Sequence, residues 1–346
     1  MFKEIQIRKP VFTTSIIQSL KKYKSEKLII VASEKFLKLH PDFANEILEE
    51  KSCLIPFPDG EKIKNFKGVT KLSNLLLEKQ IDKKTILCAV GGGTLLDLCG
   101  FASSILLRGI NWIAVPTTLL AMADASIGGK TAINTNYGKN LLGTYNFPIA
   151  IFVNINFLKT LVKKHFQDGL VECLKCGIIR DKTLFESCLD TDFSDLQKIE
   201  KIIKKTQSIK MEIVKNDPYE VKGERFLLNF GHTVGHSLER CFNYKISHGR
   251  AVAEGIVFES ALSLLQGFLK LDDFTIIKNS INLLSSRLKT LPKIETIFEN
   301  AIFDKKNIDK KVRYVPIRAI GKVALKSPHL SEVDFDTFKK AFFLLK

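Results

Sequence analysis

Residues 86–90, Ile-Leu-Cys-Ala-Val, form an unbroken apolar run that opens onto Gly91, Gly92 and Gly93 and then onto a helical pattern over residues 95–106. Five apolar residues bounded by turn residues read as a strand buried on both faces. A strand that ends in glycines and gives way to a helix commits the chain to a parallel α/β arrangement, because the helix must cross back over the sheet before the next strand. The same turn is a phosphate cradle: unpaired N–H groups and the positive end of the helix dipole converge there. The neighbouring sequence follows suit. Strands are predicted at residues 27–32, 53–56, 112–115 and 151–155, with helices at 41–50 and around Val69, Leu72 and Leu76. Such alternation puts ligands at the carboxyl ends of the strands.

After about Lys164 the period changes. Leu196, Ile199, Ile202 and Ile203, and later Leu262, Leu264, Leu265 and Phe268, recur at helical spacing. The expected architecture is an α/β N-terminal nucleotide-binding domain with a parallel sheet over residues 1–164, followed by an all-α C-terminal domain over 165–346. No repeat or low-complexity segment interrupts it.

A second informative stretch is residues 115–143, VPTTLLAMADASIGGKTAINTNYGKNLLG. It gathers small residues, paired threonines (Thr117, Thr118), one carboxylate (Asp124) and two lysines beside glycines, Lys130 and Lys139. Glycine lets a backbone approach an anion while the ammonium neutralises it. With the glycine turn, this implies a nucleotide and a second anionic ligand bound side by side.

The formal net charge is +16, carried by lysines spread along the chain, such as those at 21–24, 83–84 and 201–205. No nucleic-acid motif accompanies them, so the expectation is a solvated surface that steers phosphates, with no nucleic-acid partner. No run of about 18 apolar residues occurs; the best candidate, residues 105–120, is broken by Arg108, Asn111 and Pro116. No membrane partner is expected. The first ten residues lack the apolar core of a signal peptide, and seven cysteines, an odd number, point to a reducing cytoplasm.

Of six histidines, three fall close together: His232, His236 and His248. The first two are spaced i, i+4 and share a helix face. The pair lacks the glutamate of a zincin HExxH, which argues against protease chemistry. Taken alone it reads equally as a hydrogen-bonding pair or a metal site. His248 ahead of Gly249 strengthens the metal reading, since a catalytic zinc takes three protein ligands, often with one carboxylate. Glu172, in the apolar-flanked segment 170–177, is the candidate carboxylate. Cys173 and Cys176 form a lone CxxC there, read as packing.

At this point the sequence resembles the 3-dehydroquinate synthases, the sugar-phosphate cyclases of the shikimate pathway. The resemblance runs from DGEKIK at 59–64 to DKK at 304–306 and AIG at 319–321, through GGGxxxD at 91–97, the block at 116–143, and LNFGHTxGH at 228–236 with the later HG. It implies a dehydroquinate synthase-like fold. It matches Asp59, Gly60, Glu61, Lys62, Ile63 and Lys64 to NAD-contacting positions, together with Gly93, Thr94, Leu95, Leu96 and Asp97. Thr117, Thr118, Lys130, Lys139, Phe157, Leu158, Lys159 and Thr160 complete that set. It matches Glu172, His232 and His248 to zinc ligands (cobalt is an acceptable substitute), which turns His236 into a substrate-site histidine. Asp124, Lys130, Asn140, Lys175, Lys210, Arg225, Asn229 and His236 match the substrate pocket, with Lys305 or Lys306 closing it. Arg108 matches an arginine that reaches the phosphate held by a neighbouring subunit, which implies a homodimer.

The implied activity is that of a carbon–oxygen lyase: 3-deoxy-D-arabino-heptulosonate 7-phosphate loses phosphate and recloses as 3-dehydroquinate. NAD oxidises a hydroxyl and then reduces the ketone again, so no net oxidation results. The residue types suit it. Zinc is a Lewis acid for the hydroxyl, lysines and arginines hold carboxylate and phosphate, and an imidazole such as His236 suits proton shuttling. Were the helix of His232 to run back through Arg225, that guanidinium would lie about two turns from the metal, placed to fork a substrate carboxylate. Three residues depart from the family pattern. Leu96 stands where glycine or serine is usual, Arg250 where glutamate is usual, and Glu254 where an apolar residue is usual. The segment between Lys210 and Arg225 is one residue longer than typical.

Overall fold

The computed structural model describes residues 7–23, 27–50, 52–285, 287–302 and 311–345. The chain divides into two compact units, residues 1–162 and 163–346.

The first unit is built on six parallel strands: β1 (Val11–Phe12), β2 (Leu28–Ser33), β3 (Cys53–Phe57), β4 (Ile86–Gly91), β5 (Asn111–Pro116) and β8 (Ala150–Val153). Their order is β1-β8-β5-β4-β2-β3. The central β4 is buried along its whole length, as its apolar run requires. Around the sheet lie α1 (Ile16–Leu20), α2 (Glu34–Leu39), α3 (Pro41–Glu49), α4 (Phe66–Glu78) and α5 (Gly93–Ile105). Asn65 caps α4 by accepting from the Gly68 N–H, and Val69, Leu72 and Leu76 form its buried stripe. The chain moves outward from β2 to β3 and then returns to the other side of β2 as β4. That reversal is a topological switch point, where a crevice opens at the carboxyl ends of β2 and β4. One element was not legible as structure. Residues 130–145 form an antiparallel hairpin, β6 (Lys130–Thr135) and β7 (Gly138–Tyr145), a two-stranded sheet of its own among the described residues.

The second unit is helical: α6 (Lys163–Arg180), α7 (Lys182–Leu189), α8 (Leu196–Asn216), α9 (His232–Cys241), α10 (His248–Leu265), α11 (Leu271–Leu284), α12 (Ile294–Ile302) and α13 (Phe335–Phe343). Two small two-stranded sheets join them, β9 (Val312–Tyr314) with β12 (Ser331–Val333) and β10 (Ile317–Ala319) with β11 (Lys322–Val323). These strands of two or three residues carry too little alternation to be read from sequence. Helices α6 and α10 are buried on nearly every side and form the centre of the unit. Among the described residues, no helix is long and apolar enough to cross a membrane.

Candidate functional site

In the first unit the glycine turn is realised at the end of β4. Gly92 is the N-cap of α5 and supplies no capping side chain, so the helix end relies on bare backbone. A Cβ on Gly92 would meet the Thr118 methyl at 3.3 Å, and one on Gly93 would meet Ala125 Cβ at 3.2 Å. The turn is therefore closely walled by the segment that follows β5. Thr117 donates its N–H to the Gly91 carbonyl at 3.0 Å. Thr118 Oγ1 accepts from the Ala121 N–H at 3.2 Å and starts the wide helical turn Ala121–Ala125, which contains Asp124. Leu95 and Leu96 are buried, Leu96 at 1% exposure. The unusual leucine is thus interior packing.

The 59–64 segment meets this turn. Asp59 accepts from the Ser33 hydroxyl at the end of β2 and from the Lys35 N–H at 2.9 Å. Gly60 takes φ +91°, where glycine costs least. Lys62 and Ile63 complete the short turn Glu61–Ile63. Glu61 accepts from Thr94 Oγ1 at 3.1 Å and Asn134 Nδ2 at 2.7 Å. Burial pushes its carboxyl up, but Lys64, Asn134 and Lys139 outweigh that and hold it below the usual range. Lys64 is buried, and its ammonium bridges Asp97 Oδ2 (2.5 Å) and Asn140 Oδ1 (2.5 Å). Asn140 sits on β7 at φ +55°. Lys130 is exposed and Lys139 half-buried on the same hairpin.

Phe157 and Leu158 are core residues, with Phe157 edge-on to Phe36 at 4.8 Å. Lys159 and Thr160 are exposed, and Thr160 Oγ1 pairs with His40 Nε2 at 2.8 Å. Arg108 is exposed in a run of three left-handed residues, Leu107 (φ +49°), Arg108 (+63°) and Gly109 (+112°). Two consecutive non-glycine residues in that region are strained, a state that persists only where the surroundings impose it.

In the second unit, three helices bring together the residues matched to metal ligands. Glu172 comes from α6, His232 from the first position of α9, and His248 from the first position of α10. Glu172 Oε1 lies 3.5 Å from His232 Nε2 and 3.4 Å from His248 Nε2. One ligand atom from each residue lies within 4.8 Å of the others. Gly249 makes this approach possible, since a Cβ there would fall 2.3 Å from the Asp168 Cα on α6.

Glu172 is buried, and among the described residues neither oxygen accepts a hydrogen bond of good geometry, although Lys175 Nζ is 2.6 Å from Oε2. Burial pushes its carboxyl up; Lys175, His232 and His248 outweigh this and hold it well below the usual range. Burial, reinforced by Lys175, keeps His232 neutral, the form that ligates. Burial also disfavours the His248 imidazolium, but the carboxylates of Glu172 and Glu239 push it up to about 10. One carboxylate and two imidazole nitrogens, with poorly bonded buried oxygens between them, fit a divalent cation that takes mixed N/O ligands.

His236 is exposed, its ring 5.3 Å from that of His232. The i, i+4 spacing did put both rings on one face, yet the buried carboxylate groups with His232 and His248. A second group, His236, Glu239 and His248, overlaps the first through His248. Lys175 is buried and also donates to the Leu228 carbonyl at 2.6 Å. Lys210 is buried on α8 and Asn229 half-buried.

Arg225 does not stand on the helix of His232. It occupies a separate short turn, Glu224–Asn229, because Phe230 and Gly231 break the path; Gly231 sits at φ +77°. The Arg225 guanidinium is buried and donates to the Pro218 carbonyl at 2.7 Å. Lys305 and Lys306 lie outside the described residues. The departures Arg250 and Glu254 meet at one place: Arg250 Nη2 donates to the Arg287 carbonyl (2.7 Å), while buried Glu254 accepts from Arg287 Nε (2.8 Å) and the Leu288 N–H (2.6 Å). Sequence reasoning missed Glu239 and Glu259. Glu239 alone carried a signal, standing seven residues after His232 on the same helical face.

Two family models match consecutive parts of the chain: 3-dehydroquinate synthase N-terminal over residues 54–168, and 3-dehydroquinate synthase C-terminal over residues 169–307. The chain belongs to the 3-dehydroquinate synthase family. The 3-dehydroquinate synthase of Helicobacter pylori (strain G27) is 37% identical over 302 residues, 86% of each chain. That of Campylobacter concisus (strain 13826) is 36% identical over 319 residues, 91% of each. Among solved structures, 2-epi-5-epi-valiolone synthase from Streptomyces hygroscopicus subsp. jinggangensis 5008, with NAD+ and Zn2+ bound, superposes with a TM-score of 0.90 at 22% identity, covering 100% of this chain and 98% of its own. A 2-deoxy-scyllo-inosose synthase complexed with carbaglucose-6-phosphate, NAD+ and Co2+ gives 0.85 at 23% identity, covering 96% and 95%. These two likenesses establish a fold shared with sugar-phosphate cyclases.

Proposed function

We propose that this chain is a 3-dehydroquinate synthase in the full catalytic sense. It converts 3-deoxy-D-arabino-heptulosonate 7-phosphate to 3-dehydroquinate and phosphate, a carbon–oxygen lyase step of the shikimate route to aromatic amino acids. The observation that carries the reading is the meeting of Glu172, His232 and His248 within 4.8 Å, in a chain 37% identical to a 3-dehydroquinate synthase over 86% of its length.

When bound, NAD supplies a reversible redox carrier and a divalent ion, zinc or cobalt, supplies Lewis acidity toward the substrate hydroxyl. The residues of the chain do the rest. The bare α5 N-terminus at Gly92 and Gly93 holds the dinucleotide phosphates. Glu172, His232 and His248 hold the ion. His236, exposed beside two of these ligands, accepts and returns a proton. Lys130, Lys175, Lys210 and Arg225 serve a substrate that carries both a carboxylate and a phosphate. Asp124, Asn140 and Asn229 orient its hydroxyls, and Lys306 joins them. Arg108, held out by its strained backbone, reaches the phosphate of a second copy in a cytoplasmic homodimer.

An anaerobic assay with the heptulosonate phosphate tests this, following phosphate release, product identity and NADH together. Stoichiometric 3-dehydroquinate and phosphate with no standing NADH is the expected result. Net NADH production would make the chain a dehydrogenase. Preference for a sugar phosphate lacking the carboxylate would make it a sibling cyclase.

A further inference from the structure

Helices α9 and α10 touch backbone to backbone. A Cβ on Gly255 would fall 1.9 Å from the Gly231 carbonyl oxygen, and one on Gly235 would fall 3.2 Å from that of Ala251. Gly231 thus lies against Gly255, Gly235 against Ala251, and Glu239 beside His248, so the helices run antiparallel. The α10 face turned to α9 reads His248, Val252, Gly255 and Glu259, a spacing of 4, 3 and 4 that keeps one side of a helix.

Two buried carboxylates close the ends of this contact. Glu239, on α9, places Oε2 3.6 Å from Nδ1 of His248, on α10. Glu259, on α10 and wholly buried, accepts the N–H groups of Gly231 (2.8 Å), Thr233 (3.0 Å) and Val234 (3.3 Å) at the start of α9, flanking His232. Gly231 has no side chain with which to cap the helix, and Glu259 takes over that task from the neighbouring helix. His232 Nδ1 is then directed at the Phe230 carbonyl, 3.1 Å away.

We propose that Glu239 and Glu259 are reciprocal positioning residues. Each helix contributes one histidine toward the metal and one buried carboxylate that fixes the histidine of the other. The proposal rests on the metal reading of Glu172, His232 and His248. Neither carboxylate touches the ion; each sets the position of a nitrogen that does, and groups in that relation to a metal typically govern its affinity about 10–100-fold.

The test uses the full-length protein as parent, Glu239→Gln and Glu259→Gln chains, with His248→Ala as the empty-site control. Zinc affinity is measured by chelator competition, and the visible spectrum of the cobalt-loaded protein reports the ligand geometry. Each glutamine chain is expected to bind one zinc about 10–100-fold more weakly and to shift the cobalt bands. A role in folding alone would lower the melting temperature while leaving affinity and spectrum at parent values, and that result in either chain overturns the proposal. Complete loss of zinc in Glu239→Gln, as in His248→Ala, would mark Glu239 as a ligand and also overturn it. Should a glutamine chain fail to fold, the aspartate at that position is measured against the same outcomes, since it keeps the charge but withdraws the oxygens. A parent that binds no zinc would instead defeat the metal reading itself.

Discussion

The two units use glycine in opposite ways. In the first, Gly92 and Gly93 leave a strand-to-helix turn bare, with neighbouring methyls 3.2–3.3 Å from where a Cβ would stand, so that backbone faces whatever occupies the turn. In the second, Gly231, Gly235, Gly249 and Gly255 leave no room at all. They bring three helices so close that a Cβ would fall 1.9–3.2 Å from another backbone. One candidate site is made of backbone with glycine as the opening; the other candidate site is made of side chains with glycine as the joint. A backbone site tolerates change in its surroundings but not at the turn. A side-chain site depends on every helix that carries a ligand.

That contrast is broken most forcefully at His248. The variant His248→Ala is expected to hold no stoichiometric metal and to show no turnover, while NAD binding in the first unit is kept. Metal analysis and NAD titration on one sample check both halves. Retained zinc with activity would sink the ligand assignment.

The reciprocal change is Gly92→Val. Gly92 has φ −72° and ψ 173°, which any residue adopts, so crowding rather than strain is tested. A branched side chain against Thr118 and over the helix N-terminus should weaken NAD by at least roughly tenfold, about 1.4 kcal/mol, and leave zinc affinity unchanged. Equal NAD affinity in the variant would place the phosphates elsewhere.

Arg225→Lys probes the substrate rather than either cofactor. Its guanidinium already donates to the Pro218 carbonyl, and a lysine keeps the charge but loses the fork. Turnover of the heptulosonate phosphate should fall at least roughly tenfold, about 1.4 kcal/mol of transition-state stabilisation, with metal and NAD binding intact. Wild-type turnover would shift weight to a substrate without the carboxylate.

The legibility of the two units differs for the same reason. The cradle was readable because its parts are local: a buried strand, its glycines and the following helix are contiguous from 86 to 105, and periodicity reports local geometry. The triad is assembled from residues 172, 232 and 248. Glu172 and His248 were legible as candidates, but spacing alone left His236 beside His232 as an equal partner, and only the resemblance set it apart; three helices bring the others together. Arg225 shows the limit. Counting seven residues back from His232 assumed one continuous helix, while Phe230 and the left-handed Gly231 end it. Arg250 and Glu254, four residues apart, read in sequence only as two departures that could compensate each other; they share Arg287, more than thirty residues further on, a partner that no local pattern encodes. Glu259 was silent because a buried carboxylate on an otherwise apolar helix discloses its purpose only when the N–H groups it caps are seen.

The gentlest test of the second unit is Asp217. It is fully buried at the end of α8, where Oδ1 accepts the N–H groups of Val221 (2.8 Å) and Lys222 (3.0 Å), and Oδ2 accepts that of Arg225 (3.4 Å). It shapes the turns between α8 and Arg225. Burial pushes its carboxyl up, but these N–H groups and the Arg225 charge prevail and hold it below its ordinary value. A depressed folded pKa means stabilisation that is present above the unfolded value, about 3.9, and is lost as pH falls through the folded one. Asp217→Asn removes the charge at every pH and turns one acceptor into a donor facing a donor. The variant should lose about 1 kcal/mol of stability near neutral pH, and its stability should change less than the parent's on acidification below pH 4. Denaturant melts at pH 7 and pH 3 check both. Curves that run parallel across that range would show that folding leaves the Asp217 pKa where it is in the unfolded chain, so that its charge lends this segment no support.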